Sequence, residues 1–200
     1  MKSLALLAFV FVLSPANVSA AEALTDVDRA KLVAHLEKTS AAYLASVEGL
    51  TDAQWNYRAA EGRWTIAEVA EHIAASEKMI RDMTAGAMKE PTPAEMLADA
   101  RKDEAVLAAI PSREKKVKTF PALEPTNRYQ SPTGSVEAFK AERAETLALA
   151  KKGGDLRANA AKSPMGNLDA YGFLLFTSAH TERHTKQIDE VKADAGYPKN

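Results

Sequence analysis

Cysteine is absent from all 200 residues. That excludes disulfide staples, thiolate nucleophiles, thiolate metal ligands and attachment of a lipid through cysteine. Any metal site must be built from His, Asp or Glu, and stability must come from packing. An excess of one charge is missing too. Against 26 Lys and Arg stand 27 Asp and Glu, for a formal net charge of −1. No basic block tracks a phosphate backbone, which disfavours a nucleic-acid partner. Strand-like alternation is lacking at any useful length, and no repeat is present. The one long apolar run, Leu4 to Leu13, is too short for a typical membrane span.

Lys2 precedes that run, Pro15 breaks it, and Val18-Ser19-Ala20 puts small residues at cleavage positions. This is a signal-peptide pattern. The expectation is a signal peptide over 1–20 and one domain over 21–200. The protein would be exported, periplasmic or secreted, with no membrane span after removal of the signal. With 46% hydrophobic and 26% charged residues, the remainder reads as an ordinary globular domain.

Along that domain the apolar spacing is helical. Thr25 caps a first helix with Asp28 at its third position, and the inner stripe is Leu32, Val33, Leu36, Ser40, Tyr43, Leu44 and Val47. Leu50 to Arg63 reads as a connecting loop. Thr65 and Glu68 form a capping box for a second helix, with Trp64 and Val69 at the staple positions. Its inner stripe is Val69, Ile73, Ser76, Ile80 and Met83, and Gly86 and Pro91 stop it. Residues 94–110 suggest a shorter helix or a broken pair. Pro111 to Gly134 carries four prolines and many charges and reads as a solvated connector. Ser135 is expected to cap a third main helix that ends at Gly153-Gly154. A last helix runs from about Leu168 to Ala193. The fold class is therefore all-α: a four-helix bundle with a short extra helical excursion between the second and third main helices.

The chain has four histidines. His180 and His184 lie one turn apart on the last helix, in the sector of Phe173, Thr177, Ile188 and Val191. His72 sits at the inner edge of the second helix, beside Val69, Ile73 and Ser76. His35 falls about 120° from the centre of its stripe and reads as a surface residue. An isolated inward histidine is usually a core residue with a satisfied hydrogen bond. Three inward imidazoles on two helices are better explained by one shared metal ion. The pair is not a zincin motif, because Thr181 stands where that motif needs its glutamate.

Two segments carry a resemblance. One is Trp64-Thr65-Ile66-Ala67-Glu68-Val69-Ala70-Glu71-His72-Ile73. The other runs from Phe176 through Ala179-His180-Thr181-Glu182-Arg183-His184 to Ile188. Together they resemble the DinB-like (YfiT-like) family of metal-binding four-helix bundles, over about residues 25–195. The resemblance implies His72, His180 and His184 as ligands of a divalent metal, zinc or nickel, with open positions. It also implies chemistry seen in some relatives, the transfer or isomerisation of substrates with low-molecular-weight thiols. Such thiols are scarce outside the cytoplasm, so the export signal weighs against that part.

Two functions remain open at this point. The first is a metal-dependent hydrolase or thiol-linked transferase acting on a small molecule. The second is a non-catalytic metal-binding or partner-binding bundle. No catalytic base can be named. Glu68 and Gln187 are candidates for orienting a ligand, though each also reads as ordinary helix chemistry. Arg183 could meet an anionic substrate, with a solvated or interhelical salt bridge as its plainer role. Tyr171 to Phe176 is apolar around most of the helix. Tyr171 and Leu175 therefore need cover, either from a two-fold homodimer, which is favoured, or from the 94–134 excursion.

Overall fold

Thr25 opens α1 (Asp26–Val47) by accepting the Asp28 amide at 3.0 Å, as its position predicts. In this computed structural model, which describes residues 23–89 and 91–199, six further helices, a short 3₁₀ turn and a hairpin follow. The expected signal peptide lies outside the described residues. Among them no helix is long and apolar enough to cross a membrane.

The Leu50–Arg63 connector contains a short helix, α2 (Asp52–Asn56), started by a capping box between Thr51 and Gln54. The box between Thr65 and Glu68 starts α3 (Ile66–Ala87). At the end of its stripe Met83 is exposed, and Thr84 is buried instead, its hydroxyl bonded back to Ile80 O at 2.7 Å. A threonine can go inward there because its hydroxyl finds a carbonyl within its own helix. The excursion is the broken pair, α4 (Ala94–Ala98) and α5 (Asp103–Ala109).

The third main helix, α6 (Pro132–Lys152), starts four residues earlier than expected. Ser131, not Ser135, is its cap and accepts the Gly134 amide at 2.9 Å. Pro132 suits the first helical position, where its missing N–H costs nothing. Before the last helix, β1 (Ala160–Ser163) pairs antiparallel with β2 (Gly166–Asp169), which the sequence reading did not anticipate. Both strands have four residues and little β-branched content, too little to show as a pattern. Gly166, at φ +87°, makes the tight return. Asp169 then caps α7 (Ala170–Lys192) by accepting the Gly172 amide at 2.7 Å.

The four long helices form the bundle: α7 packs on α1 and α3, and α6 packs on α3 and α1. Its core falls into two clusters, one around Leu32, Leu36, Phe173 and Leu174, the other around Tyr43, Ile66, Phe139 and Ile188. A polar layer separates them. Arg143 donates to both carboxylate oxygens of Glu77 at 2.8 Å, to Leu36 O and Thr39 Oγ1, and to Thr181 Oγ1. All five guanidinium donors are thus used within a site that water hardly reaches, at 2% and 1% side-chain exposure for the pair.

Tyr171 and Leu175 are buried within the chain. The guanidinium of Arg157 lies 3.8 Å from the centre of the Tyr171 ring, and the Tyr171 hydroxyl donates to Asp28 O at 3.1 Å. Val106, Leu107 and Ile110 pack on the same cluster as Leu175. The cover is intrachain, from the excursion for the Leu175 cluster and from Arg157 and α1 for Tyr171, so this face gives no reason to require the favoured homodimer.

Candidate metal centre

His72 projects from α3, and His180 and His184 project from α7, into one cluster. Their ring centroids are 5.1, 4.5 and 4.4 Å apart for the pairs His72–His180, His72–His184 and His180–His184. One nitrogen from each lies within 4.8 Å of the others. His180 Nε2 and His184 Nε2 are 3.1 Å apart. Two nitrogens each about 2.0–2.1 Å from one tetrahedral ion lie about 3.3 Å apart, so the donor set fits a single small cation.

Hydrogen bonds set the tautomers. His72 Nδ1 lies 3.0 Å from Leu123 O, and a carbonyl can only accept, so the proton is on Nδ1 and Nε2 carries the lone pair. His184 Nδ1 lies 2.9 Å from Gln187 Oε1. That amide oxygen also accepts from Arg113 Nη1 at 3.2 Å, which identifies it as the oxygen. The His184 Nε2 lone pair therefore faces His180 Nε2, and the contact needs either a proton on His180 or a cation between them. Such outer partners orient metal-binding imidazoles in general. Gln187 is thus an orienting residue, as the sequence suggested it could be.

Burial and neighbouring positive charge favour the neutral form of all three rings. Burial lowers the pKa of His72, only partly opposed by its bond to Leu123, with the Arg128 charge adding to the effect. Burial, His72 and Arg183 hold His180 well below the usual histidine range. Burial, His180 and His72 do the same for His184 against the opposing bond to Gln187. Neutral imidazole is the form that binds metal. Trp64 lies against His72 at 4.9 Å, and Phe176 stacks beside His180 at 6.1 Å between centroids. His72 and His184 are buried while His180 is half-buried, so the cluster opens on the His180 side. The buried Ser76 places its hydroxyl 3.5 Å from His72 Nε2.

The other candidates lie elsewhere. Glu68 closes its capping box and pairs with Arg58 at 2.8 Å. His35 is half-buried rather than on the surface, because α7 packs against it and its Nδ1 lies 2.6 Å from Ser178 Oγ. Arg183 makes no salt bridge among the described residues; it donates to the carbonyls of Ile110 and Lys115, at 3.4 and 2.7 Å.

Sequence reasoning missed what holds the far side of the cluster. Glu71 is buried, and it accepts the amides of Thr126, Asn127 and Arg128 at 2.7, 2.8 and 3.3 Å, plus Arg128 Nε at 2.8 Å. Burial raises its pKa, but these donors outweigh that and hold the carboxyl below the usual range. Asn127 sits at φ +61° to complete the cradle. The 111–134 stretch is therefore not a free connector. Its 3₁₀ turn, Pro121–Leu123, closes over His72. The available signal was a carboxylate directly before an inward histidine.

No curated protein matches this chain. Among solved structures it is similar to YfiT from Bacillus subtilis, described as a probable metal-dependent hydrolase with an unusual four-helix bundle topology. The two share 17% identity at a TM-score of 0.59, over 90% of this chain and 94% of that one. At that identity the likeness establishes the fold. A sequence model of the DinB superfamily matches residues 35–188, which span all three clustered histidines and most of the bundle, and the chain belongs to that superfamily.

Proposed function

We propose that this protein binds one divalent metal ion, zinc or nickel, through Nε2 of His72, His180 and His184, and uses it to hydrolyse a small-molecule substrate. The observation that carries this reading is the convergence of three imidazoles, two of them with tautomers set by Leu123 and Gln187. The description of YfiT supports the reaction class. The signal-peptide pattern around Lys2 and Leu4–Leu13 supports an exported location.

A divalent ion held by three imidazoles supplies Lewis acidity and brings the pKa of a bound water towards about 7. The chain's own residues do the rest. Leu123 and Gln187 fix the ring planes. Trp64 and Phe176 make apolar walls that exclude solvent. His180, the least buried of the three rings, is the side nearest solvent, and Ser76 offers a hydroxyl beside the ligand set. Three protein ligands would leave a coordination position for water or substrate, which favours catalysis over a closed four-ligand structural site.

The test is a panel of carboxylic esters, amides and phosphoesters, with and without a low-molecular-weight thiol, before and after chelation. Hydrolysis should disappear on chelation while the helical signal stays, and should return with zinc or nickel. Turnover indifferent to chelation, or turnover that requires the thiol, would contradict the hydrolase reading.

A further inference from the structure

Residues 113–120 read Arg-Glu-Lys-Lys-Val-Lys-Thr-Phe and bridge α7 to α3 beside the histidine cluster. Both ends are tied down. At one end Arg113 pairs with Glu190 at 2.9 Å and Arg183 holds the Lys115 carbonyl at 2.7 Å. Beyond the other end Leu123 is buried against His72, and Glu71 clasps the amides of Thr126 to Arg128.

The apex between them projects outward. Four large hydrophobic side chains are exposed among the described residues, and two of them are here, Val117 at 76% and Phe120 at 59%. Lys115, Lys116 and Lys118 are exposed alongside, with no acidic partner within salt-bridge distance among the described residues. A solvated connector has no use for an exposed valine and phenylalanine between unpaired lysines. That combination matches a bilayer interface, where ammonium groups meet headgroup phosphates and apolar side chains enter the acyl boundary. With a formal net charge of −1 for the chain, the attraction is local and therefore orienting.

We propose that the Lys115–Phe120 apex docks this protein on a membrane surface rich in anionic lipid, bringing the histidine cluster close to the bilayer. Nucleic acid fits less well, because Val117 offers a phosphate backbone nothing and no aromatic row accompanies the lysines.

The test is flotation of the full chain with vesicles of phosphatidylcholine containing one third phosphatidylglycerol, compared with pure phosphatidylcholine. Binding should need the anionic lipid and weaken with added salt. It should fall about tenfold or more in the triple variant Lys115→Gln/Lys116→Gln/Lys118→Gln, and comparably in Val117→Ser/Phe120→Ser. Both variants should unfold at the parent's temperature, since the apex side chains support no core. A Phe120→Trp variant should blue-shift its fluorescence on the anionic vesicles. The apolar run Leu4–Leu13 is common to every variant, so binding carried by that run would be the same in all and would overturn the proposal. Equal binding to neutral vesicles would overturn it as well. So would binding that ignores Val117→Ser/Phe120→Ser and is competed away by single-stranded DNA.

Discussion

His72 donates its Nδ1 proton to the carbonyl of Leu123, 51 residues further along the chain, at 3.0 Å. The preceding residue, Glu71, clasps three amides of the same segment. Two successive residues of α3 thus hold a cover in place, one through a candidate ligand and one through a buried carboxylate. Replacing Glu71 with Ala should release residues 121–128 while α3 stays helical. Hydrogen exchange at Thr126 to Arg128 should speed up markedly. Stability should fall by about 1.5–3 kcal/mol, the range for a hydrogen bond to a charged group. Unchanged protection at those amides would show that the cradle does not hold the segment.

Gln187 makes a second prediction. Its Oε1 fixes the His184 ring and is itself held by Arg113. Gln187→Ala should weaken metal binding about 10- to 100-fold, as losses of such orienting partners do. The Gln187→Glu variant, which keeps the acceptor, should retain most of the affinity. Competition with a chromophoric chelator reads both.

The buried pair Glu77–Arg143 predicts a coupled response. Glu77→Leu alone leaves the guanidinium without its carboxylate and should cost about 3–5 kcal/mol in urea unfolding. Glu77→Leu combined with Arg143→Met should recover a large part of that loss. A double variant as unstable as the sum of the singles would contradict the account of this layer.

Much of this was legible in the sequence, and the misses share a cause. Thr65 and Glu68 announce α3 because a capping box is local, and the helical phase of His180 and His184 follows from their spacing alone. His72 could be placed at an inner edge for the same reason. The cradle of Glu71 could not be, since it joins residues 55 to 57 apart in the chain. The covering turn at Pro121–Leu123 depends on the same long-range contact. His35 was misplaced because its neighbour, Ser178, belongs to another helix. The hairpin before α7 is too short and too polar to show periodicity. Met83 and Thr84 exchanged places because hydrophobicity was weighed without the backbone carbonyl that satisfies the threonine.

Acid should destabilise the metal-free protein. The folded pKa values of His72, His180 and His184 are lowered, so below about 6.5 the unfolded chain takes up protons that the folded chain refuses. Their full contribution is present above that pH and is lost as pH falls towards the folded values. Glu71, also lowered, adds a further loss at more acidic pH. Urea midpoints at pH 7.5 and 5.5 should therefore decrease in that order, and His180→Ala/His184→Ala should flatten the difference. A midpoint that rises on acidification would refute the sign.

Metal stoichiometry tests the central claim most directly. Protein purified without chelators and analysed by mass spectrometry of its metals should carry one divalent ion per chain. The His180→Ala/His184→Ala variant should carry none while keeping its helical signal, and His35→Ala should match the parent. Metal content that survives in the double variant, or a folded parent that takes up no divalent ion even when offered zinc or nickel, would contradict the assignment of His72, His180 and His184.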